Sequence, residues 1–139
     1  MTRLAACTIV AKNYLPFARV LAESFLERCP DGRFFVLLVD RVDGCFDPAD
    51  ERFEVVEVET LDNVPHLASF LFKYTLLEAN TAVKPYFLAH LFARHDLESL
   101  VYFDPDVLVT GPLDELASLL DRHAVVLTPH LTDPVDDGA

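Results

Sequence analysis

Residues 99–116 read SLVYFDPDVLVTGPLDEL, and the Asp104-Pro105-Asp106 in their middle decides how the chain is understood. An apolar run, Ser99 to Phe103, ends on two carboxylates separated by a proline. Either the pair closes a tight turn, for which Asp-Pro-Asp is good chemistry, or it holds something positively charged. Proline keeps the preceding residue extended and has no N–H for a ladder. On an extended chain, residues two apart point to one side, about 6–7 Å apart. Two carboxylates so placed repel each other unless a cation lies near. Oxygen-only ligation favours Mg²⁺ or Mn²⁺, which can bridge to diphosphate oxygens and stabilise charge on a departing diphosphate.

Working outward, the strand before Asp104 is one of several. Leu4–Ala11 (LAACTIVA) is a nearly continuous apolar run, as suits a strand buried on both faces of a parallel sheet. Asn13 is placed to cap a helix, and Pro16 is tolerated in its first turn. Phe17, Val20, Leu21 and Phe25 then keep helical spacing until Cys29–Gly32 (CPDG) stops it. Arg33–Asp40 reads as a second strand and Arg52–Glu59 as a third. Leu67, Phe70, Leu71, Leu76 and Leu77 form one helical face. Val83, Phe87, Leu88, Leu91 and Phe92 form another, with Asn80 as its cap. Pro112 opens a further helix, and HAVVLTPHL (123–131) reads as a last strand before an acidic tail with Asp136 and Asp137. Phe34, Phe35, Phe70, Phe72, Phe87 and Phe92 sit at core spacing. This alternation predicts an α/β, Rossmann-like, mostly parallel sheet flanked by helices, in one domain over residues 1–139. Ligands of such sheets bind at the carboxyl ends of strands, where Asp104 and Asp106 fall.

Composition removes other classes. With 52% hydrophobic residues the chain is a folded globule rather than a disordered one. A net charge of −12 argues against nucleic acid and anionic membrane surfaces, which are bound by Lys and Arg. A phosphorylated small molecule remains open, given a divalent cation or a few placed lysines. Lys84, just before Pro85 in a helix's first turn, works against the helix dipole, which favours a role in meeting an anion. Lys12 and Lys73 read as surface lysines, Lys12 being raised by its place at a strand end. Cys7, Cys29 and Cys45 are odd in number and far apart, so a reducing cytoplasm is expected, with Cys7 in the core. Leu4–Cys7 (LAAC) mimics a lipoprotein-processing site, but only three residues precede it. No run reaches the roughly 20 apolar residues of a membrane span, so a soluble protein without a transmembrane segment is expected. Four glycines and no Gly-rich motif exclude a phosphate loop or dinucleotide fingerprint.

The segment from Glu98 to Leu116 resembles the Asp-x-Asp segment of GT-A glycosyltransferases, especially the family-8-type group of glycogenin and bacterial lipopolysaccharide galactosyltransferases. Residues 9–40 resemble that group's opening strand, Asn-Tyr turn, helix and second strand. Asn80–Phe92 (NTAVKPYFLAHLF) resembles its lysine-bearing helix. The likeness runs from about Ile9 to Thr128, and the order of the motifs carries it. It implies the GT-A nucleotide-diphospho-sugar transferase fold and a metal-dependent transfer of sugar from a nucleoside diphosphate donor to an acceptor hydroxyl of a glycan, lipid or protein.

By the resemblance, Ala11, Lys12 and Asn13 line the nucleobase and ribose pocket, and Lys84 approaches the diphosphate or sugar. Asp104 contacts ribose and metal, and Asp106 is the main ligand of Mn²⁺ or Mg²⁺. Family members often carry an acidic residue where Ala11 stands and an arginine near Val83. The family's acceptor half and a later metal-binding histidine are expected beyond Ala139, with His130 as a substitute ligand or, more blandly, a surface or capping residue. The expectation is therefore a truncated, donor-binding portion that transfers sugar poorly alone and tends to form homo-oligomers. Two other readings stand beside it: a catalytically incomplete nucleotide-binding or structural domain, and a response-regulator-like domain. The latter wants acidic residues where the first strand ends in Ala-Lys-Asn.

Overall fold

All seven residues of strand β1 (Leu4–Val10) are buried. A strand apolar on both faces has to lie inside a sheet with helices on each side, and that is where it sits. The computed structural model describes residues 4–129. Strands β2 (Arg33–Leu38), β3 (Glu54–Glu57) and β4 (Ser99–Tyr102) join β1 in one sheet of order β3-β2-β1-β4. Every pairing is parallel, with Cys7 level with Phe35 on one side and Tyr102 on the other.

The pleat sorts the core into two halves. Ala5, Cys7, Ile9, Phe35 and Leu37 face one side, where Val83, Phe87 and Leu91 cover them. These come from helix α4 (Lys84–Arg94) and the residue before it. The short helices α2 (Leu67–Phe72) and α3 (Leu76–Ala82) precede it in the chain. Ala6, Val10, Phe34, Val36 and Leu38 face the other side, against Leu15, Ala18, Leu21, Ala22 and Phe25 of helix α1 (Leu15–Arg28). Leu113 and Leu120, at either end of helix α5 (Asp114–Leu120), pack on that side too. The result is an all-parallel sheet flanked by helices, an α/β arrangement of the Rossmann-like kind. Phe25 and Phe87 are fully buried, each contributing on the order of 1.5–3 kcal/mol by burial.

The turn that stops α1 is as tight as its CPDG sequence implies. Gly32 N–H donates to the Cys29 carbonyl at 2.9 Å. A Cβ on Gly32 would meet that oxygen at 2.9 Å and the Leu4 carbonyl at 3.0 Å, so only glycine lets β2 start so close to β1.

Several expectations are corrected. Asn13 lies in a 3-10 turn (Lys12–Tyr14); the cap of α1 is Tyr14, with no side-chain hydrogen bond. Asn80 is inside α3, whose start is instead fixed by a capping box between Thr75 and Glu78. Phe17 and Val20 are exposed because the buried stripe of α1 runs through Leu15, Ala18, Leu21, Ala22 and Phe25. Phe72, 91% exposed, and Phe92, 51% exposed, lie outside the core. Pro112 precedes the α5 cap, Leu113, rather than opening the helix. The third strand is four residues long, because a 3-10 turn (Val58–Thr60) replaces its end. Residues 123–129 join no strand, and Val125 and Leu127 are exposed. The remainder of that expected strand, with His130, Asp136 and Asp137, lies outside the described residues.

Candidate functional site

From β1 the chain passes through α1 to β2 on one side, while β4 lies on the other. The strand order therefore reverses between β1 and β4, and at such a switch point the carboxyl ends of the strands part to leave a crevice. Ala11–Asn13 leave β1 there, and Asp104–Asp106 leave β4 there. Phe103 N–H donates to the Cys7 carbonyl at 3.0 Å, which carries the pairing one residue past Tyr102.

Asp104-Pro105-Asp106-Val107 is a β-turn, closed by Val107 N–H donating to the Asp104 carbonyl at 3.1 Å. Proline presets the first central position of such a turn. Asp106 is thus the second central residue and not the next-but-one residue of an extended strand, so the pleat argument for placing both carboxylates on one side does not apply. Both aspartates are exposed. Beyond the turn, Val109 N–H donates to Ser24 Oγ of α1 at 3.1 Å. The turn is therefore held on both flanks, by β1 through Phe103 and by α1 through Val109.

Lys84 is the first residue of α4, and its Nζ stands 3.8 Å from the centroid of the Tyr102 ring. That is a cation–π contact at close range. The half-buried Tyr102 joins this lysine to the carboxylates. Burial pushes its phenol up, and the charge and hydrogen bonding of Asp104 push it further, with Cys7 and Asp106 adding smaller effects. Beneath them the Cys7 thiol is pushed up to about 12 by burial, against an opposing pull from Lys84. Lys84, Tyr102, Asp104 and Asp106 thus form one neighbourhood, which the resemblance named in part and which Tyr102 completes.

The other named residues are arranged differently. Ala11 is buried, packed in the α4-side core. Asn13 is exposed. The backbone N–H of Lys12 donates to both carboxylate oxygens of Asp40 at 3.1 Å, and its ammonium pairs with Asp43 at 2.9 Å. That hydrogen bond raises the Lys12 pKa. Asp43 (φ 48°) and Gly44 (φ 70°) are both left-handed, a sharp bend next to the Asp43 carboxylate that meets Lys12 just past β1. Among the described residues no hydrogen bond or ion pair links this group to Lys84 or the Asp-Pro-Asp turn. Sequence reasoning missed Tyr102, Asp40 and Asp43. Asp40 had a signal, since an acid closing the second strand is where such folds meet a ribose. Tyr102 had only its place two residues before Asp104.

Among the described residues, no group of three or more His, Cys, Asp or Glu side chains is placed to hold a metal ion. Asp104 and Asp106 offer oxygen donors alone. Two exposed carboxylates fit a hard cation that completes its shell with water or phosphate oxygens, as Mg²⁺ does. Two clefts lie elsewhere. One of about 360 Å³ is lined by Pro65, His66, Ser69, Phe70, Lys73 and Tyr86. A larger one, about 590 Å³, lies at the opposite, amino end of β1, between Leu4, the Arg28–Gly32 turn and α5. Volume alone points away from the turn. Strand polarity and the convergence of charge point to it, and those bear directly on ligand chemistry.

Among the described residues no helix is long and apolar enough to cross a membrane. Comparison with protein families, curated proteins and solved structures returns no match.

Proposed function

We propose that this chain is the nucleotide-sugar-binding part of a GT-A glycosyltransferase, transferring sugar from a nucleoside diphosphate donor to an acceptor hydroxyl. The observation that carries the reading is the Asp-Pro-Asp turn at the sheet's switch point with Lys84 beside it. Exposed carboxylates and a lysine in one place suit a ligand that brings both a divalent cation and phosphate negative charge. Asp104 and Asp106 would hold Mn²⁺ or Mg²⁺, whose part is to neutralise the diphosphate as it leaves. Lys84 would meet the phosphates from the α4 side.

The test is a titration of the chain with nucleoside diphosphates, with Mn²⁺ and with excess chelator. Binding should require the cation, and Asp106→Asn should weaken the Mn²⁺-supported binding by at least about tenfold, as changes beyond the direct ligands already can. Binding equally tight in chelator would sink the metal role. A folded Asp106→Asn chain with undiminished binding would reduce Asp106 to a turn residue.

A further inference from the structure

We infer that Tyr102 is a positioning residue, whose ring face holds the Lys84 ammonium beside the Asp-Pro-Asp turn while keeping it from pairing with the carboxylates there. The inference rests on the reading of this turn as a diphosphate and cation site. A lysine is a flexible point charge, and a carboxylate within reach would normally capture it. Lys12 shows that outcome in the same molecule, its Nζ lying 2.9 Å from Asp43. Lys84 is treated otherwise: among the described residues no carboxylate lies within ion-pair distance of it, and its partner is the Tyr102 ring at 3.8 Å.

A π-face attracts a cation without cancelling its charge and without using its three N–H donors as a carboxylate would. Tyr102 and Asp104 lie two residues apart, so the ring stands at the root of the turn. The ammonium stays available for a phosphate oxygen, and the carboxylates stay available for a divalent cation. Collapse of Lys84 onto Asp104 would remove both. The half-buried ring is held by β4 pairing, Tyr102 being level with Cys7 of β1, so this placement is built in before any ligand arrives.

Two measurements decide it. Without nucleotide, the ε-methylene protons of Lys84 should show an upfield ring-current shift by NMR in the wild type and in Tyr102→Phe, and should lose it in Tyr102→Leu. With Mn²⁺ present, Tyr102→Leu should weaken nucleoside diphosphate binding about three- to tenfold, within the roughly two- to thirtyfold that a cation–π contact is worth. Tyr102→Phe should restore most of that binding, and the Leu substitution should have no further effect in a Lys84→Met chain. An unshifted Lys84 in the folded wild type overturns the inference, and that measurement needs no variant to fold. So does a Leu effect of full size in the Lys84→Met background. If the wild type binds no nucleoside diphosphate at all, the donor reading fails, and the ring-current comparison still decides where Lys84 is held.

Discussion

Asp40 and Asp43 follow β2, while Asp104 and Asp106 follow β4, so both pairs leave the same edge of the sheet. The first pair is matched inside the chain, Asp40 by the Lys12 backbone N–H and Asp43 by the Lys12 ammonium. The second pair is exposed at a turn, and among the described residues no cation pairs with it. Its nearby lysine is held by an aromatic ring instead. The two pairs bear equal charge, so the difference is one of partners. Carboxylates that organise a loop are satisfied by that loop. Carboxylates left without a cation, on a turn anchored at both flanks, are those with capacity for an external one.

The contrast is broken most directly through stability. Asp40→Ala would strip both acceptor oxygens from a part-buried N–H, and hydrogen bonds to charged groups contribute about 1.5–3 kcal/mol. Asp104→Ala removes an exposed side chain and should stay within about 0.5 kcal/mol. Urea unfolding of the two variants checks this. Equal destabilisation would mean that the Asp-Pro-Asp turn is structural in the same sense as the Asp40 loop.

The contrast also marks how far sequence could reach. The starts and ends of β1, β2 and α1 were legible to within a residue or two, because continuous apolar runs and Pro and Gly punctuation are local signals. The placement of Asp104 at a strand end was legible for the same reason. Its relation to Asp106 was not, since the rule for an extended chain and the rule for a proline turn compete over one residue. The pairing of Lys84 with Tyr102 was out of reach: the residues are eighteen positions apart and meet only because α4 lies over the β1–β4 pair. Asn13 and Asn80 failed as caps because cap-forming residues are also common inside turns and short helices. HAVVLTPHL failed, over its described part, because apolar content gives no partner strand; Val125 and Leu127 stay exposed.

Asp62 belongs with the matched carboxylates and gives a smaller, pH-dependent test. Arg94 donates to it at 2.6 Å and holds its carboxyl below the usual range. The buried His90, whose Nδ1 has no hydrogen-bond partner, lies 3.9 Å from the same carboxylate. Burial pushes the His90 pKa down, Arg94 and His95 add to that, and Asp62 opposes it. The folded state thus binds this proton less readily than the unfolded chain. Stability contributed by neutral His90 is present above the unfolded value near 6.5 and is lost progressively as the pH falls from there towards the lower folded value. Urea midpoints at about pH 7.5 and 5.5 should converge in His90→Gln relative to wild type. An unchanged pH dependence would mean that Asp62 already compensates the buried imidazole.

The smallest effect should come from Lys12, and it bears most closely on which lysine serves a ligand. The family resemblance places Lys12 in the nucleotide pocket, whereas its ammonium already sits on Asp43 and its pKa is raised by that hydrogen bond. Exposed pairs of this kind contribute little, because water and salt screen them and both side chains lose freedom. The backbone N–H that Asp40 accepts from survives substitution. Lys12→Met should therefore leave the unfolding midpoint within error of wild type and change Mn²⁺-supported nucleoside diphosphate affinity by no more than about twofold. Lys84→Met is the reference, because among the described residues no carboxylate pairs with its charge. It should weaken diphosphate binding more than nucleoside binding, as only the phosphates carry the charge that Lys84 would meet. A loss in Lys12→Met as large as in Lys84→Met would show that the Asp43 pair opens for the ligand, and would place both carboxylate pairs in one site.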